Sequence, residues 1–174
     1  MNFSRDIKSI WPLMLMLMFV VGIEACTSKN ETTQAKHDPV AIEAGEECHL
    51  CGMVISKFSG PKGELYDRNG IVRKFCSTRD LFSWYLQPEN QMSSQEIFVH
   101  DMVETPWDKP EDKHLVSARQ AWYVVGSNMM GAMGPTLASF KQQDDAKAFI
   151  VKHGGRLLAF KDITLTMMSD INRQ

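Results

Sequence analysis

The apolar positions between residues 46 and 168 predict one order of elements, strand–strand–helix–strand, that occurs twice. In the first half, residues 52–58 are rich in apolar and β-branched side chains and are predicted to form a strand. Residues 64–66 and 72–75 predict a hairpin, because residues 67–70 (DRNG) between them supply typical turn residues.

A helix is predicted to follow this hairpin. Its first turn has the spacing of a capping box, with Ser77 or the next residue as the N-cap and Asp80 three positions after Ser77. Pro88 is predicted to end the helix, and residues 96–103 to form the next strand. One face of the helix is apolar, at Leu81, Phe82 and Tyr85.

The second half repeats this order. Residues 121–126 and 136–140 predict two strands separated by a loop rich in Gly and Met. A helix follows, with apolar spacing over 146–153 and a Gly pair after it, and residues 157–166 predict a closing strand. We therefore expect an α+β fold in which two similar ββαβ units form a single compact domain behind a disordered tether.

The N-terminus predicts a targeting segment. Arg5 and Lys8 precede an uncharged apolar run at residues 10–23, which is shorter than the ~20 residues that cross a bilayer as a helix. Residues 1–25 are therefore expected to be a signal peptide. The end of this segment resembles the lipobox of bacterial lipoproteins, which predicts acylation of Cys26. An ordinary signal peptide is the alternative.

A lipid on Cys26 would anchor the protein to a membrane on the periplasmic side. Residues 26–45 are mostly polar and lack apolar periodicity, so we expect a flexible tether there, followed by the domain at 46–168 and a tail at 169–174. Thr27 after the cysteine favours the outer membrane, by resemblance to sorted lipoproteins.

Composition and charge exclude several functions. With 19 Lys and Arg against 21 Asp and Glu, the net charge of −2 leaves no basic excess for binding nucleic acid. The sequence also lacks a recognisable carboxylate pair, Ser-His arrangement or phosphate-binding Gly loop around which to build a reaction. We expect a carrier and not an enzyme.

The main chemical signal is the segment Cys48-His49-Leu50-Cys51-Gly52-Met53. Two thiols three positions apart can converge on one ion when the backbone turns between them. On the predicted strand, Cys51 and Met53 would point to the same face. Thiolate and thioether ligands select Cu(I), whereas zinc prefers cysteine, histidine and carboxylate. Three sulfur atoms of this segment are therefore candidate ligands of Cu(I).

Other interpretations of these residues stay open. Cys48 and Cys51 also fit a disulfide or a redox-active pair, so an extracytoplasmic thiol–disulfide oxidoreductase is the alternative function. His49 is either a solvated loop residue or a further ligand. Cys76 is either a small buried residue or part of the site.

Several segments together resemble the NosL family, the accessory lipoproteins of nitrous-oxide reductase. The resemblance covers most of 46–165, and its most specific motifs are Cys-x-x-Cys-Gly-Met and a late Met-Gly at Met133. It is carried by EECHLCGMVI, GIVRKFCSTRDLFSWY, EIFVHDMV, AWYVVGS, GAMGPTLASF and DDAKAFIVKHGG.

The resemblance implies paired ββαβ units and a function. Members of this family bind Cu(I) and act as copper chaperones for the copper clusters of nitrous-oxide reductase, together with an ABC-type maturation complex in the periplasm. The shared Met-Gly makes Met133 a further candidate ligand, because its loop could carry a thioether to the cysteine segment. The expected metal ligands are thus Cys48, Cys51, Met53 and Met133, with His49 and Cys76 as lesser candidates.

Overall fold

The computed structural model describes residues 36–171. The predicted signal peptide, the acylation site Cys26, the tether up to residue 35 and the tail from residue 172 lie outside the described residues. Within the described part, the elements of the two halves have the predicted order.

The first half forms a four-stranded antiparallel sheet with the order β2-β1-β3-β4. A tight hairpin joins its first two strands, and a helix leads from the second strand to the third. The elements are β1 (Gly63–Asp67), β2 (Val72–Phe75), α1 (Thr78–Tyr85), α2 (Pro88–Ser93), β3 (Ser94–His100) and β4 (Leu115–Ser117).

The second half forms a three-stranded antiparallel sheet with the order β8-β5-β9, and β6 and β7 pair as a separate hairpin. A final helix follows the last strand. The elements are β5 (Trp122–Val125), β6 (Met130–Gly131), β7 (Gly134–Pro135), β8 (Ala138–Phe140), α3 (Gln143–His153), β9 (Arg156–Ala159) and α4 (Leu165–Ile171).

The two sheets share one internal order. In each half, the first strand of the ββαβ unit lies between the second and the third, as β1 does between β2 and β3 and β5 does between β8 and β9. This confirms the predicted α+β class and the duplicated ββαβ order. The α1 cap is also confirmed, because the Ser77 side chain accepts a hydrogen bond from the Asp80 backbone N–H.

One predicted strand is wrong, and another is predicted too long. Residues 52–58 contain a single bridge, between Glu47 and Val54, and then a 3-10 helix at Ile55–Lys57. The predicted strand at 157–166 ends at Ala159 in the structure, where β9 gives way to a second 3-10 helix and then to α4. In both places the apolar side chains serve core packing without a neighbouring strand to pair with the backbone.

Two predicted boundaries also need correction. Pro88 does not simply end α1, which stops at Tyr85, but opens α2 at a position where proline costs no helical hydrogen bond. The predicted tail at 169–174 begins inside α4, whose Met168 and Ile171 are buried in the core. Their i, i+3 spacing is the signal that distinguishes this helix from a tail.

The described end of the predicted tether, residues 36–45, lies against the first sheet, and we call it the N-terminal strap. It has no helix or strand, as expected of a tether, but it is not free. Two of its backbone N–H groups donate to the carboxylates of Glu64 and Asp112, at 2.9 and 2.7 Å, and Lys74 Nζ donates to one of its carbonyls at 2.6 Å. Polar contacts with buried charges thus fix a segment that has no apolar pattern.

The main core lies where α1 packs over the first sheet and continues into the second half. It contains Phe75, Leu81, Phe82 and Tyr123, all fully buried, with the Phe82 and Tyr123 rings 5.1 Å apart. Cys48 and Cys76 belong to the same buried cluster, as does Ala132. The cysteines are therefore held by the largest packed region of the domain.

The α1 cap supports a stability prediction. Ser77→Ala removes the acceptor 3.0 Å from the Asp80 N–H and is expected to lower the free energy of unfolding by about 1 kcal/mol. Urea unfolding of the reduced, metal-free protein measures this change. Ser169→Ala, on an exposed position of α4, is the control and should change the stability by less than about 0.5 kcal/mol. Equal stability of the two variants would contradict the cap.

Candidate metal centre

The segment from Cys48 to Met53 is a tight turn. The Gly52 N–H donates to the Cys48 carbonyl at 2.9 Å, and the Cys48 N–H donates to the Met53 carbonyl at 2.8 Å. Gly52 has a φ of 73°, in the left-handed region that glycine adopts without steric cost. The predicted turn brings Cys48 and Cys51 to one side, whereas the strand predicted to align Cys51 with Met53 does not form at residues 52–58.

This turn lies beside the end of β2. The His49 N–H donates to the Lys74 carbonyl at 2.8 Å, which attaches the turn to the last residues of the strand. Cys76 follows directly after β2, and its Sγ lies 3.5 Å from Cys51 Sγ. A contact between residues 25 positions apart thus joins the Cys-x-x-Cys turn to the start of α1.

The first turn of α1 adds a carboxylate. Asp80 Oδ2 accepts from Cys76 Sγ at 3.2 Å and lies 3.7 Å from Cys48 Sγ. One ligand atom from each of Cys48, Cys51, Cys76 and Asp80 lies within 4.8 Å of the others. Three of these residues are buried and Cys51 is half-buried, so the group opens to solvent on the Cys51 side.

The three thiols of this group differ in pKa. The neighbouring Cys76 side chain holds the pKa of Cys48 well below its usual range. The Cys48 side chain, burial and the Asp80 carboxylate raise the pKa of Cys76, and burial raises the pKa of Cys51. Cys48 is therefore the thiol that loses its proton first and supplies the first anionic sulfur.

The structure brings together Cys48 and Cys51, as predicted, and places Cys76 among them. His49 is outside this group, with its ring packed against Phe75 and Trp84 at centroid distances of 5.9 and 5.4 Å. Cys76 is only a lesser candidate from the sequence, because nothing local shows that the hairpin returns it to residue 51.

Met53 and Met133 remain predicted ligands. Met53 is half-buried and packs against the core cluster that contains Cys48 and Cys76. Met133 is 58% exposed at the tip of the β6–β7 hairpin, and its carbonyl accepts from Arg79 Nη1 at 2.9 Å. Arg79 directly precedes Asp80, so this tip is attached to the same turn of α1 as the carboxylate.

Asp80 is the site residue that the sequence analysis missed as a functional group. Its backbone has the predicted role in the cap, but its side chain turns to the thiols. Helical spacing gives no signal for this contact, because Cys76 precedes the extended N-cap Ser77 and lies outside α1.

The oxidoreductase alternative finds no support in this geometry. A redox-active Cys-x-x-Cys pair of the thioredoxin type lies at a helix N-terminus, whereas Cys48 and Cys51 lie in a turn followed by a 3-10 helix. All three described cysteines are free thiols, and Cys51 Sγ lies 3.5 Å from the sulfur of Cys76.

The protein is a small α+β domain built from two ββαβ units. Its group of three thiols and one carboxylate is a site for a soft metal ion. The family model that describes NosL matches residues 39–168 of this chain. The chain belongs to the NosL family. This confirms the resemblance drawn from the Cys-x-x-Cys-Gly-Met and Met-Gly motifs.

Individual relatives agree with this assignment. The copper-binding lipoprotein NosL of Stutzerimonas stutzeri is 44% identical over 90% of this chain and 82% of its own length. That of Achromobacter cycloclastes is 36% identical over 69% of this chain and 64% of its own length. The crystal structure of the copper chaperone NosL from Shewanella denitrificans has a TM-score of 0.74 and 52% identity, and the match covers 75% of this chain and 98% of that one.

These relatives are named lipoproteins, in keeping with the predicted acylation of Cys26. Among residues 36–171, no helix has both the length and the apolar content needed to cross a bilayer.

Proposed function

We propose that this protein is a membrane-anchored, periplasm-facing Cu(I) carrier that delivers copper for assembly of the copper centres of nitrous-oxide reductase. The observation that carries the proposal is the group of three thiols and a carboxylate within 4.8 Å of one another. The names of the relatives, copper-binding lipoprotein and copper chaperone, support it. The role is binding and transfer, without catalysis.

The donor set fits monovalent copper. Soft thiolates favour Cu(I) over hard divalent ions, and Cys48 is the sulfur most readily ionised. We assign Cys48, Cys51 and Cys76 as thiolate ligands, and the thioethers of Met53 and Met133 as ligands that exchange during transfer. Thioethers do not form disulfides, which makes them suitable donors in an oxidising compartment.

The Asp80 carboxylate is placed to take part in loading. It accepts from the thiol of Cys76, so that thiol has a hydrogen-bond partner before the metal arrives. Metal binding releases thiol protons, and a neighbouring carboxylate gives them a first acceptor. Affinity for copper should therefore fall as the pH drops.

The acyl group on Cys26 would hold the carrier at the outer membrane, with nitrous-oxide reductase and its ABC-type maturation complex as partners. A tethered carrier stays near its receiving complex. We infer no contact with nucleic acid, because the net charge is −2.

Anaerobic Cu(I) titration of the reduced protein against a chromophoric chelator tests the ligand assignment. We expect one high-affinity Cu(I), with lower affinity in Cys48→Ser, Cys51→Ser, Met53→Leu and Met133→Leu. Met92→Leu is the matched control, because Met92 is 66% exposed and outside the site. Unchanged affinity in all four site variants would refute the assignment, and an absorption edge typical of Cu(II) would refute the oxidation state.

Delivery needs a separate experiment. Copper-loaded protein is mixed with copper-free nitrous-oxide reductase in the presence of the maturation complex, and reductase copper is measured after separation. We expect copper to appear on the reductase only when the loaded carrier is present. Equal loading by the copper–chelator complex alone would contradict a delivery role while leaving copper binding intact.

A further inference from the structure

Arg79 spans the thiol group and the hairpin that carries Met133. Its guanidinium Nη1 donates to the Met133 carbonyl at 2.9 Å, and its Nε lies 3.7 Å from Asp80 Oδ1. The other Asp80 oxygen accepts from Cys76. Arg79 and Asp80 are both buried, so this chain of contacts is shielded from water. One buried side chain therefore connects the hairpin tip to the sulfurs.

The backbone at Met133 is strained. Its φ of 63° makes it the one non-glycine residue with a positive φ in the described part of the chain. A side chain in this region costs roughly 1–2 kcal/mol, and such strain persists only where the surroundings hold it. The hydrogen bond from Arg79 stabilises the backbone at the strained residue itself.

The rest of the hairpin is fixed independently of Met133. Its preceding tip residue, Ala132, is buried in the core cluster that contains Cys48 and Cys76. At its base, Trp107 Nε1 donates to the Met130 carbonyl at 2.8 Å. After it, Thr78 Oγ1 donates to the Leu137 carbonyl at 2.6 Å. The Met133 side chain is thus exposed on a fixed support.

We propose that Arg79 is a positioning residue for copper binding: it holds the Met133 backbone in its strained conformation, so that the exposed thioether is presented to the metal bound by the cysteines. The inference rests on the proposed function, in which Met133 is a ligand. Arginine suits this task because its planar, permanently charged fork can face a carboxylate and a carbonyl at once.

A double-mutant cycle tests the proposal. Cu(I) affinity is measured for the wild type, Arg79→Met, Met133→Leu and the double variant, under anaerobic conditions. Each single change is expected to lower affinity about tenfold, the equivalent of one charged hydrogen bond. Because Arg79 acts through Met133, the double variant should lose about tenfold and not the about hundredfold of two independent effects.

The possible results distinguish failure of the Arg79 role from failure of the Met133 ligand assignment. An additive cycle would overturn the role of Arg79 while the copper site stands. No effect of Met133→Leu would remove Met133 from the proposed ligands, and the inference with it. Arg79→Lys keeps the positive charge but lacks the planar guanidinium group. We expect it to lose Cu(I) affinity as Arg79→Met does. Wild-type affinity of Arg79→Lys would contradict the proposal. Arg79→Lys also replaces Arg79→Met in the cycle if the latter does not fold.

A measurement without copper provides a second readout. In the reduced, metal-free protein, amide hydrogen exchange at the β6–β7 tip is expected to be about tenfold faster in Arg79→Met, because one charged hydrogen bond to the tip is lost. Amides paired between β5 and β8 serve as the internal control and should keep their rates. Equal exchange at the tip in both proteins would overturn the proposal.

Discussion

Cys76→Ser is expected to weaken Cu(I) binding by more than about a hundredfold. Loss of an outer-shell partner already costs 10–100-fold in metal affinity. Removing an anionic thiolate ligand is expected to exceed that, whereas the neutral, exchanging thioether of Met133 contributes less. Serine occupies nearly the same volume and can keep the hydrogen bond to Asp80, so the fold is expected to survive. The measurement is the anaerobic competition titration, with thermal unfolding of each metal-free variant to confirm folding.

The Cu(I) affinity of Cys76→Ser is compared with that of Cys51→Ser. Cys51 and Cys76 lie 3.5 Å apart at the same point, so the two variants should lose affinity to a similar extent. If Cys76→Ser bound Cu(I) as tightly as the wild type while Cys51→Ser did not, Cys76 would be no more than a small buried residue beside the site. Met92→Leu again shows the effect of an exposed substitution.

The fold could be predicted where the signals are local. The β1–β2 hairpin is specified by its turn residues, and α1 by Ser77 and its apolar face, so both are where the sequence places them. The strand predictions failed at 52–58 and beyond Ala159 up to residue 166, where apolar residues occur but the backbone joins no sheet. Apolar runs of this length do not distinguish a strand from a packed turn.

The site was predicted in part for a similar reason. The spacing of Cys48 and Cys51 is a local motif, whereas the approach of Cys76 depends on the register of a hairpin and on the attachment of the turn to β2. Asp80 illustrates the same limit, because one residue serves the helix cap with its backbone and the thiols with its side chain. Sequence spacing suggested the first role only.

The N-terminal strap was missed because its partners are charged groups distant in the sequence. Its sequence is polar and without period, which is typical of a tether. Its order comes from contacts with Glu64 and Lys74 of the first sheet and with Asp112 of a 3-10 helix. The residues between the predicted lipid anchor and Cys48 are thus partly fixed on the domain, which places the metal turn directly after a docked segment.

Glu64→Gln is expected to make the protein more stable at pH 8 than the wild type, and to lose this advantage in acid. Glu64 is 1% exposed; its Oε1 accepts from the strap at 2.9 Å, while Oε2 finds no hydrogen-bond donor among the described residues. Burial, only partly offset by the Val40 N–H and by Lys74, raises the pKa of Glu64 from 4.5 to about 7.

The sign follows from the raised pKa. Below pH 4.5, the carboxyl is protonated in both the folded and the unfolded chain, so it imposes no penalty. Above pH 7 it is ionised in both states, and keeping the charge buried costs about 3 kcal/mol of folding free energy. The penalty grows as the pH rises between these values. Glutamine carries no such penalty, so the difference between the two proteins should widen over this interval.

Urea unfolding of the reduced, metal-free wild type and Glu64→Gln at intervals from pH 4.5 to pH 8 measures this difference. Subtracting the two curves removes the titration of all other groups that the substitution leaves alone. Glu104→Gln is the matched control, because its exposed carboxylate is in water in both states, and its difference curve should vary by less than about 0.5 kcal/mol. A flat curve for Glu64→Gln would mean that water or movement of the strap solvates the carboxylate. Docking of the strap would then rest on Asp112 and Lys74, without help from a buried Glu64.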